Sequence, residues 1–227
     1  MNDLNQRLTY EAEGLGLSLV TNANVRALLD GTIKRSVYIE AILCQIYHYT
    51  HNTSGWLKRS GERLAKEGRH QKHAAYLLQQ AMEEKGHDRW AQNDCMALGV
   101  DPEIIYKVPP SSAVFAYNIH NDAMSKEGSP YAILGPKYVL EYLSVKSARR
   151  ISENLRKRKL IPGIEHATTF LDGHAGADII HLDEVRAILR EVTDPFDQEA
   201  ILTSARLTTS LYPMFFSSIA SRCDRSI

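Results

Sequence analysis

Apolar residues recur every three or four positions along most of the chain, and segments in which apolar and polar residues alternate are almost absent. This spacing gathers the apolar side chains on one face of a helix. An early helix is predicted to begin near Asn22–Asn24, and longer helices are predicted over 33–58, 70–98, 111–125, 134–157, 172–192 and 196–222. Glycine and proline residues separate several of these segments. The sequence therefore predicts an all-α fold, a single-domain bundle of about seven to eight helices over residues 1–227.

Charge and cysteine content narrow the class of protein. The 27 basic and 27 acidic residues cancel, which argues against nucleic acid or an anionic membrane as the main partner, since both attract basic surfaces. Cys44, Cys95 and Cys223 are odd in number and widely spaced, and this predicts reduced thiols rather than disulfides. Residues 1–7 lack the apolar core of a signal peptide, and no apolar run is long enough to span a bilayer. We therefore expect a cytoplasmic protein with a small-molecule substrate.

The segment from His174 to His181 points most directly to chemistry. His174, Asp178 and His181 are four and three residues apart, and these steps place the three side chains on one stripe of a helix. Two imidazoles and a carboxylate form a chelating edge for a first-row metal such as iron. Upstream, Glu84 and His87 are three residues apart and share a face of their predicted helix. Together the two groups make a metal site the leading hypothesis.

Two further carboxylates, Glu40 and Glu141, have apolar neighbours in predicted core helices. A buried carboxylate needs a cation, a metal or several hydrogen-bond donors nearby. With these two, the chain offers four carboxylates, enough to neutralise two ferrous ions, and three imidazoles. Oxygen and imidazole ligands without a thiolate suit iron or manganese better than structural zinc. Carboxylate-rich di-iron sites in helical bundles are built from side chains of this kind.

Each element also has an interpretation without a metal. The acidic pair at 83–84 is typical of a solvated helix face, and Asp178 with His181 is typical of a hydrogen-bonded helical pair. Ion pairs are the alternative for the other two carboxylates, Glu141 with Lys146 or Arg149 and Glu40 with Lys34 or Arg35. The joint occurrence of all these residues at helical spacing favours the metal site.

The chain resembles the haem-oxygenase-like di-iron oxidases and oxygenases, a family related in fold to haem oxygenase, thiaminase II and the pyrroloquinoline quinone synthase. The resemblance rests on the segments 81–88 and 138–145 and on the pattern His174-x-x-x-Asp178-x-x-His181. The order of these segments, their separations and the total length are similar, so the resemblance covers most of the chain. It implies a haem-oxygenase-like helical fold and a site with two Fe(II)/Fe(III) ions that uses O2 as co-substrate.

By this resemblance, His87 and His174 bind one iron, and Asp178 and His181 bind the other. Glu141 bridges or completes the pair.

One further carboxylate is needed to complete the site, and the resemblance does not settle which residue supplies it. Glu83, Glu84 and Glu40 all remain open. The spacing favours Glu84, because a glutamate three residues before a histidine is the arrangement of other di-iron bundles.

The family acts on small amino-acid-, amine- or fatty-acid-derived substrates by N-oxygenation, desaturation or oxidative C–C cleavage, usually in biosynthesis, and the resemblance implies the same here. Tyr47 and His48 are predicted to bind substrate, because they lie about two turns beyond Glu40. Lys146 and Arg149, about one and two turns after Glu141, are predicted to anchor a substrate carboxylate. The sequence leaves open the substrate, an external electron donor and a homodimer.

Two other functions compete with this prediction. A metal-free thiaminase-like enzyme could use Cys95 as a nucleophile, although the metal-ligand residues would then be unexplained. A non-catalytic iron-binding protein would bind metal without consuming O2.

Overall fold

The computed structural model of the protein describes residues 3–68 and 70–217. Within them the chain is largely helical and contains no β-strand. The α-helical segments are α1 (Leu4–Leu19), α2 (Ala23–Leu29), α3 (Arg35–Val37), α4 (Gln45–Glu67), α5 (Gln71–Glu83), α6 (Asp88–Ala97), α7 (Ile104–Lys107), α8 (Ser112–Lys126), α9 (Leu134–Arg158), α10 (Thr169–Glu191) and α11 (Pro195–Ser217). A π-helical segment, Tyr38–Cys44, joins α3 to α4, and a short 3-10 helix, Ile164–His166, precedes α10.

The helices pack into one domain around one cluster of buried apolar side chains. Helix α9 packs against α10 and α11, while α4 packs against α5 and α8. Tyr38, buried at the start of the π-helical segment, donates a hydrogen bond from its hydroxyl to the Ala167 carbonyl oxygen at 2.8 Å. This hydrogen bond connects the π-helical segment to the residues just before α10. The all-α fold class predicted from the sequence is confirmed.

Helices α8 and α9 begin and end within about one residue of their predicted limits. Ser111 caps α8, because its hydroxyl accepts a hydrogen bond from the backbone N–H of Val114 at 3.2 Å. The prediction missed α1, although its residues Leu4, Leu8, Leu15 and Leu19 are buried along one face.

The prediction of one helix over 70–98 is wrong. Helix α5 ends at Glu83 and α6 begins at Asp88, with a turn over the four residues between them. Gly86 occupies this turn with a φ of 95°, a conformation that glycine adopts without steric strain. Glu84 and His87 therefore lie in the turn, at the junction of two helices, rather than on a helix face.

The π-helical segment was also not predicted. It contains Glu40, and its backbone hydrogen bonds span one residue more than those of an α-helix. A spacing of 3.6 residues per turn therefore does not relate Glu40 to the face of α4 that follows.

No helix in residues 3–68 and 70–217 is both long and apolar enough to cross a membrane. Cys44 and Cys95 are free and buried, and Cys223 lies outside the described residues.

Candidate metal centre

Helix α10 is positioned by a carboxylate that the sequence analysis did not identify. Asp94, fully buried on α6, accepts hydrogen bonds from the backbone N–H groups of Thr169 and Phe170 at 2.8 and 3.0 Å. These are the first N–H groups of α10, which have no partner within the helix. A negative charge at a helix N-terminus is also favourable. Asp94 therefore fixes the start of the helix that carries His174, one turn further on.

His174, Asp178 and His181 face the same direction on α10, as their spacing predicts. The Nδ1 atom of His174 lies 3.5 Å from the carboxylate of Asp178, and the Nδ1 atom of His181 lies 3.6 Å from it. Burial opposes ionisation of Asp178, but its contacts with the two imidazoles hold its pKa well below the usual range. The pKa of His174 is raised, because Asp178 outweighs the effect of burial.

The turn between α5 and α6 brings a second pair of groups to this stripe. The Nδ1 atom of His87 and the Oε2 atom of Glu84 are hydrogen-bonded at 3.0 Å. Burial would raise the pKa of Glu84, but the bond to His87 and the charge of Lys137 lower it to about 2. The ring of His87 stacks on Trp90 with centroids 4.0 Å apart and meets the ring of His174 edge-on at 5.1 Å.

Glu83, the neighbouring acid, is placed differently from Glu84. Its side chain is 37% exposed, and Oε2 lies 3.2 Å from the Nε2 atom of His181. Gln79 and Gln80 each donate a side-chain hydrogen bond to its carboxylate. Glu83 therefore contacts the outer edge of the cluster, while the buried Glu84 lies inside it.

Helix α9 contributes Glu141 and a cation that the sequence analysis overlooked. Lys137, one turn before Glu141, has its Nζ atom 2.5 Å from Oε1 of Glu141 and 3.8 Å from Oε1 of Glu84. Its side chain is only 6% exposed. The alternative that pairs Glu141 with Lys146 or Arg149 is therefore wrong. Burial raises the pKa of Glu141 to about 7, even with Lys137 beside it.

Six residues of the site, here called the ring, contact one another in succession, and they are Glu84, His87, His174, Asp178, His181 and Glu141. The ligand atoms of Glu84, Glu141 and His181 all lie within 4.8 Å of one another. The other three members contact this group or one another. His87 contacts Glu84, Asp178 contacts His181, and His174 contacts Asp178.

The arrangement of unsatisfied polar atoms fits a metal. Within the described residues, Oε2 of Glu141, Nε2 of His174 and Nδ1 of His181 are buried without a hydrogen-bond partner, while Oε1 of Glu141 pairs with Lys137. Buried polar atoms of this kind are costly, and a bound cation would satisfy them. Carboxylate and imidazole donors without a thiolate suit iron.

An apolar cavity of about 360 Å³ adjoins the ring. Glu84, Lys137, Glu141, His174 and Asp178 line the cavity where it meets the ring. The rest is lined mostly by residues of the π-helical segment and of α1, α2, α4, α8, α9, α10 and α11. Two exposed cations of α9, Lys146 and Arg150, lie among the lining residues.

Four residues predicted to belong to the site do not line this cavity. Glu40 is half-buried in the π-helical segment. His48 is hydrogen-bonded through Nε2 to the carbonyl oxygen of Val108 at 2.7 Å. Tyr47 packs its ring against His51 with centroids 5.4 Å apart. Arg149 is exposed, and the next residue along the helix lines the cavity in its place.

Cys95, the alternative nucleophile, is fully buried on α6. Burial raises the pKa of its thiol to about 12, and burial has the same effect on Cys44. A thiol with such a pKa is almost entirely protonated at neutral pH, and the thiolate is the nucleophilic form.

Comparison with known proteins identifies the fold and the family. Solved structures with the same fold include a domain of unknown function with a heme oxygenase-like fold from Shewanella denitrificans, with a TM-score of 0.83, 21% identity and coverage of 99% of this chain and 94% of that one. They also include a TenA homologue from Pseudomonas syringae, with a TM-score of 0.79, 14% identity and coverage of 95% and 92%. A TenA homologue from Pyrococcus furiosus has a TM-score of 0.75 and 13% identity, with coverage of 95% and 99%.

At these identities, the similarity to solved structures establishes the fold alone. No curated protein matches the chain. A family model described as "iron-containing redox enzyme" matches residues 40–212, which include every member of the ring. The chain therefore has a haem-oxygenase-like fold and belongs to the family of iron-containing redox enzymes.

Proposed function

We propose that this protein is a non-haem di-iron enzyme that uses O2 to oxidise a small organic substrate. The observation that carries the proposal is the ring of three carboxylates and three imidazoles beside an apolar cavity, in which buried atoms of Glu141, His174 and His181 lack a hydrogen-bond partner. A structural ion-pair network would not leave Oε2 of Glu141, Nε2 of His174 and Nδ1 of His181 buried without hydrogen bonds.

His87 and His174 would hold one iron, and Asp178 and His181 the other. Glu141 would supply a further carboxylate to the pair. Bound iron would supply the activation of O2, and the protein supplies the ligands and a cavity from which apolar side chains exclude water.

Glu84 would complete the carboxylate set. It is favoured over Glu83 because it is buried and its ligand atom lies within 4.8 Å of those of Glu141 and His181.

The cavity supports a substrate with an extended apolar part. Its lining includes Leu28, Ile46, Leu57 and Ile151, while Lys146 and Arg150 provide positive charge on α9 beyond the ring. Among the substrates of similar enzymes, a fatty-acid-derived or apolar amino-acid-derived carboxylate fits this combination best. N-oxygenation, desaturation and C–C cleavage all remain compatible with it.

The proposal is tested by loading the protein with ferrous ion under anaerobic conditions and counting iron per chain. Oxygen is then admitted, and O2 consumption and the visible spectrum are followed. We expect up to two irons per chain and a transient visible band. No bound iron would refute the proposal, and bound iron without O2 consumption would indicate a non-catalytic iron-binding protein.

Two variants test whether the ring residues bind the metal. His174→Ala and Asp178→Ala should each lose at least one iron while retaining helical content. His120→Ala is a matched control, because His120 is hydrogen-bonded to Ser204 on α11 at 2.7 Å and does not contact the ring. If both ring variants keep full metal content, the ring is structural.

Cys95→Ala separates the metal-free alternative from the di-iron enzyme. We expect this variant to bind iron and consume O2 as the wild type does, because the buried thiol is protonated. A metal-replete variant without activity would favour a thiol mechanism.

A further inference from the structure

Lys137 is the one cation whose buried side chain contacts the ring in the described part of the chain. A buried ammonium group is costly unless negative charges surround it. Here Glu141 and Glu84 provide those charges, at 2.5 and 3.8 Å from Nζ. Lys137 is also fixed in place by the sequence, because a residue four positions before Glu141 on a continuous helix lies on the same face.

The carboxylates that pair with Lys137 belong to the residues that could hold a metal. Oε1 of Glu141 lies 2.5 Å from Lys137 and 3.6 Å from Nδ1 of His181. Glu84 and Glu141 are both in the group whose ligand atoms lie within 4.8 Å of one another. The ammonium and a divalent ion therefore compete for the same carboxylates. Two positive charges a few ångströms apart repel strongly at a poorly solvated site.

The charge balance makes the two metal positions unequal. Glu84, Glu141 and Asp178 carry three negative charges when ionised, and Lys137 neutralises one of them. The remaining two charges match one ferrous ion. A second ferrous ion then meets no uncompensated negative charge, and departure of the ammonium frees one carboxylate charge for it. The cavity offers a route, because Lys137 is among its lining residues.

We propose that Lys137 is a tethered counter-cation that the second metal ion must displace, so that one ion binds tightly and the next binds with lower affinity. This inference rests on the proposed di-iron function. It assigns to a residue of this chain the control of metal stoichiometry.

The test is an anaerobic titration of the full-length metal-free protein with Fe²⁺, monitored by calorimetry. Metal analysis after gel filtration then gives the number of iron ions retained per chain. We expect the wild type to retain one tightly bound iron and to bind the second at least about tenfold more weakly. In Lys137→Met, which removes the charge but keeps the length of the side chain, the second iron should bind at least about tenfold more tightly than in the wild type.

Two variants control for effects unrelated to charge. Lys157→Met makes the same substitution at an exposed position of α9 and should titrate like the wild type. Lys137→Arg keeps the charge and should keep the second iron weak. If Lys137→Met does not fold, Lys137→Gln provides the same loss of charge with an amide that hydrogen-bonds to the carboxylates.

The outcomes distinguish this inference from the proposed function. Two equally tight irons in the wild type, unchanged in Lys137→Met, would refute the role of Lys137 and leave the di-iron function intact. A weak second site in the wild type that is unchanged in both Lys137→Met and Lys137→Gln would refute it as well. A wild type that binds no iron would overturn the proposed function and this inference together.

Discussion

Two glycines on α10 allow a matched test of how the helix positions the metal ligands. A Cβ atom on Gly173 would lie 2.6, 2.8 and 2.9 Å from ring atoms of Trp90, closer than van der Waals contact permits. Trp90 in turn stacks on His87. A Cβ atom on Gly176, three residues later, would meet nothing within 4 Å. Gly173→Ala and Gly176→Ala are therefore the same chemical change with and without a steric clash.

The magnitudes follow from two opposing terms. Alanine in place of glycine within a helix stabilises the folded state by about 0.5–1 kcal/mol, and this gain applies to both variants. Only Gly173→Ala must also displace the Trp90 ring, at a cost of about 1–3 kcal/mol for overpacking. We expect Gly176→Ala to be more stable than wild type, and Gly173→Ala to be less stable than Gly176→Ala by about 1–3 kcal/mol.

Urea unfolding of the metal-free proteins measures the free energies of unfolding, and thermal unfolding should show a difference of about 2–4 °C for each kcal/mol. Because the displaced ring stacks on a proposed ligand, Gly173→Ala should also bind iron more weakly, while Gly176→Ala should bind like the wild type. Equal stability of the two variants, or a Gly173→Ala variant with unchanged tryptophan fluorescence, would refute this reasoning.

Three further predictions follow from the packing, the cavity and the ionisable groups. Gly135→Ala should destabilise the fold by about 3 kcal/mol or more, because a Cβ atom at this position would lie 2.2 Å from the carbonyl oxygen of Ile201 on α11. Urea unfolding measures this loss, and a smaller loss would contradict the close approach of α9 and α11. The double variant Lys146→Met/Arg150→Met should have a several-fold higher KM for a carboxylate substrate and an unchanged KM for the neutral amide of that substrate. An equal change in both KM values would exclude an anchoring role for these two cations. The metal-free protein should lose about 1–3 kcal/mol of stability from pH 5 to pH 8, because the folded-state pKa of Glu141 is raised from 4.5 to about 7 and the pKa values of His174 and His181 are also raised. The contributions of these three groups to stability are present at low pH and are lost as the pH rises. Urea unfolding in the presence of a chelator measures the loss, and a constant free energy of unfolding would contradict the prediction.

Much of the fold follows from local signals in the sequence. The limits of α8 and α9 could be predicted because a capping serine and breaks rich in glycine and proline flank an apolar pattern. The turn at 84–87 was missed because the apolar pattern continues on both sides of it, and Gly86 was the only local signal. The π-helical segment has no local signal of this kind, since its apolar composition is that of any buried helix.

The candidate site could likewise be predicted only in part from the sequence. Residues on one helix, such as His174, Asp178 and His181, could be grouped by spacing alone. The partners of Glu141 could not, because an ion pair depends on which face is buried and on what lies across from it. Lys137 was four residues from Glu141, but nothing in the sequence distinguishes it from a cation in solvent until the burial of that face is known.

The π-helical segment also affects how related sequences should be compared. A π-turn holds one residue more than an α-turn, so deleting one residue between Tyr38 and Cys44 would leave a continuous α-helix and rotate everything before it by about 100° relative to α4. Glu40 would then face a different neighbour. A one-residue gap in an alignment at this position would therefore mark a change in the direction of a carboxylate, and a glutamate aligned with Glu40 across that gap would not be its structural equivalent.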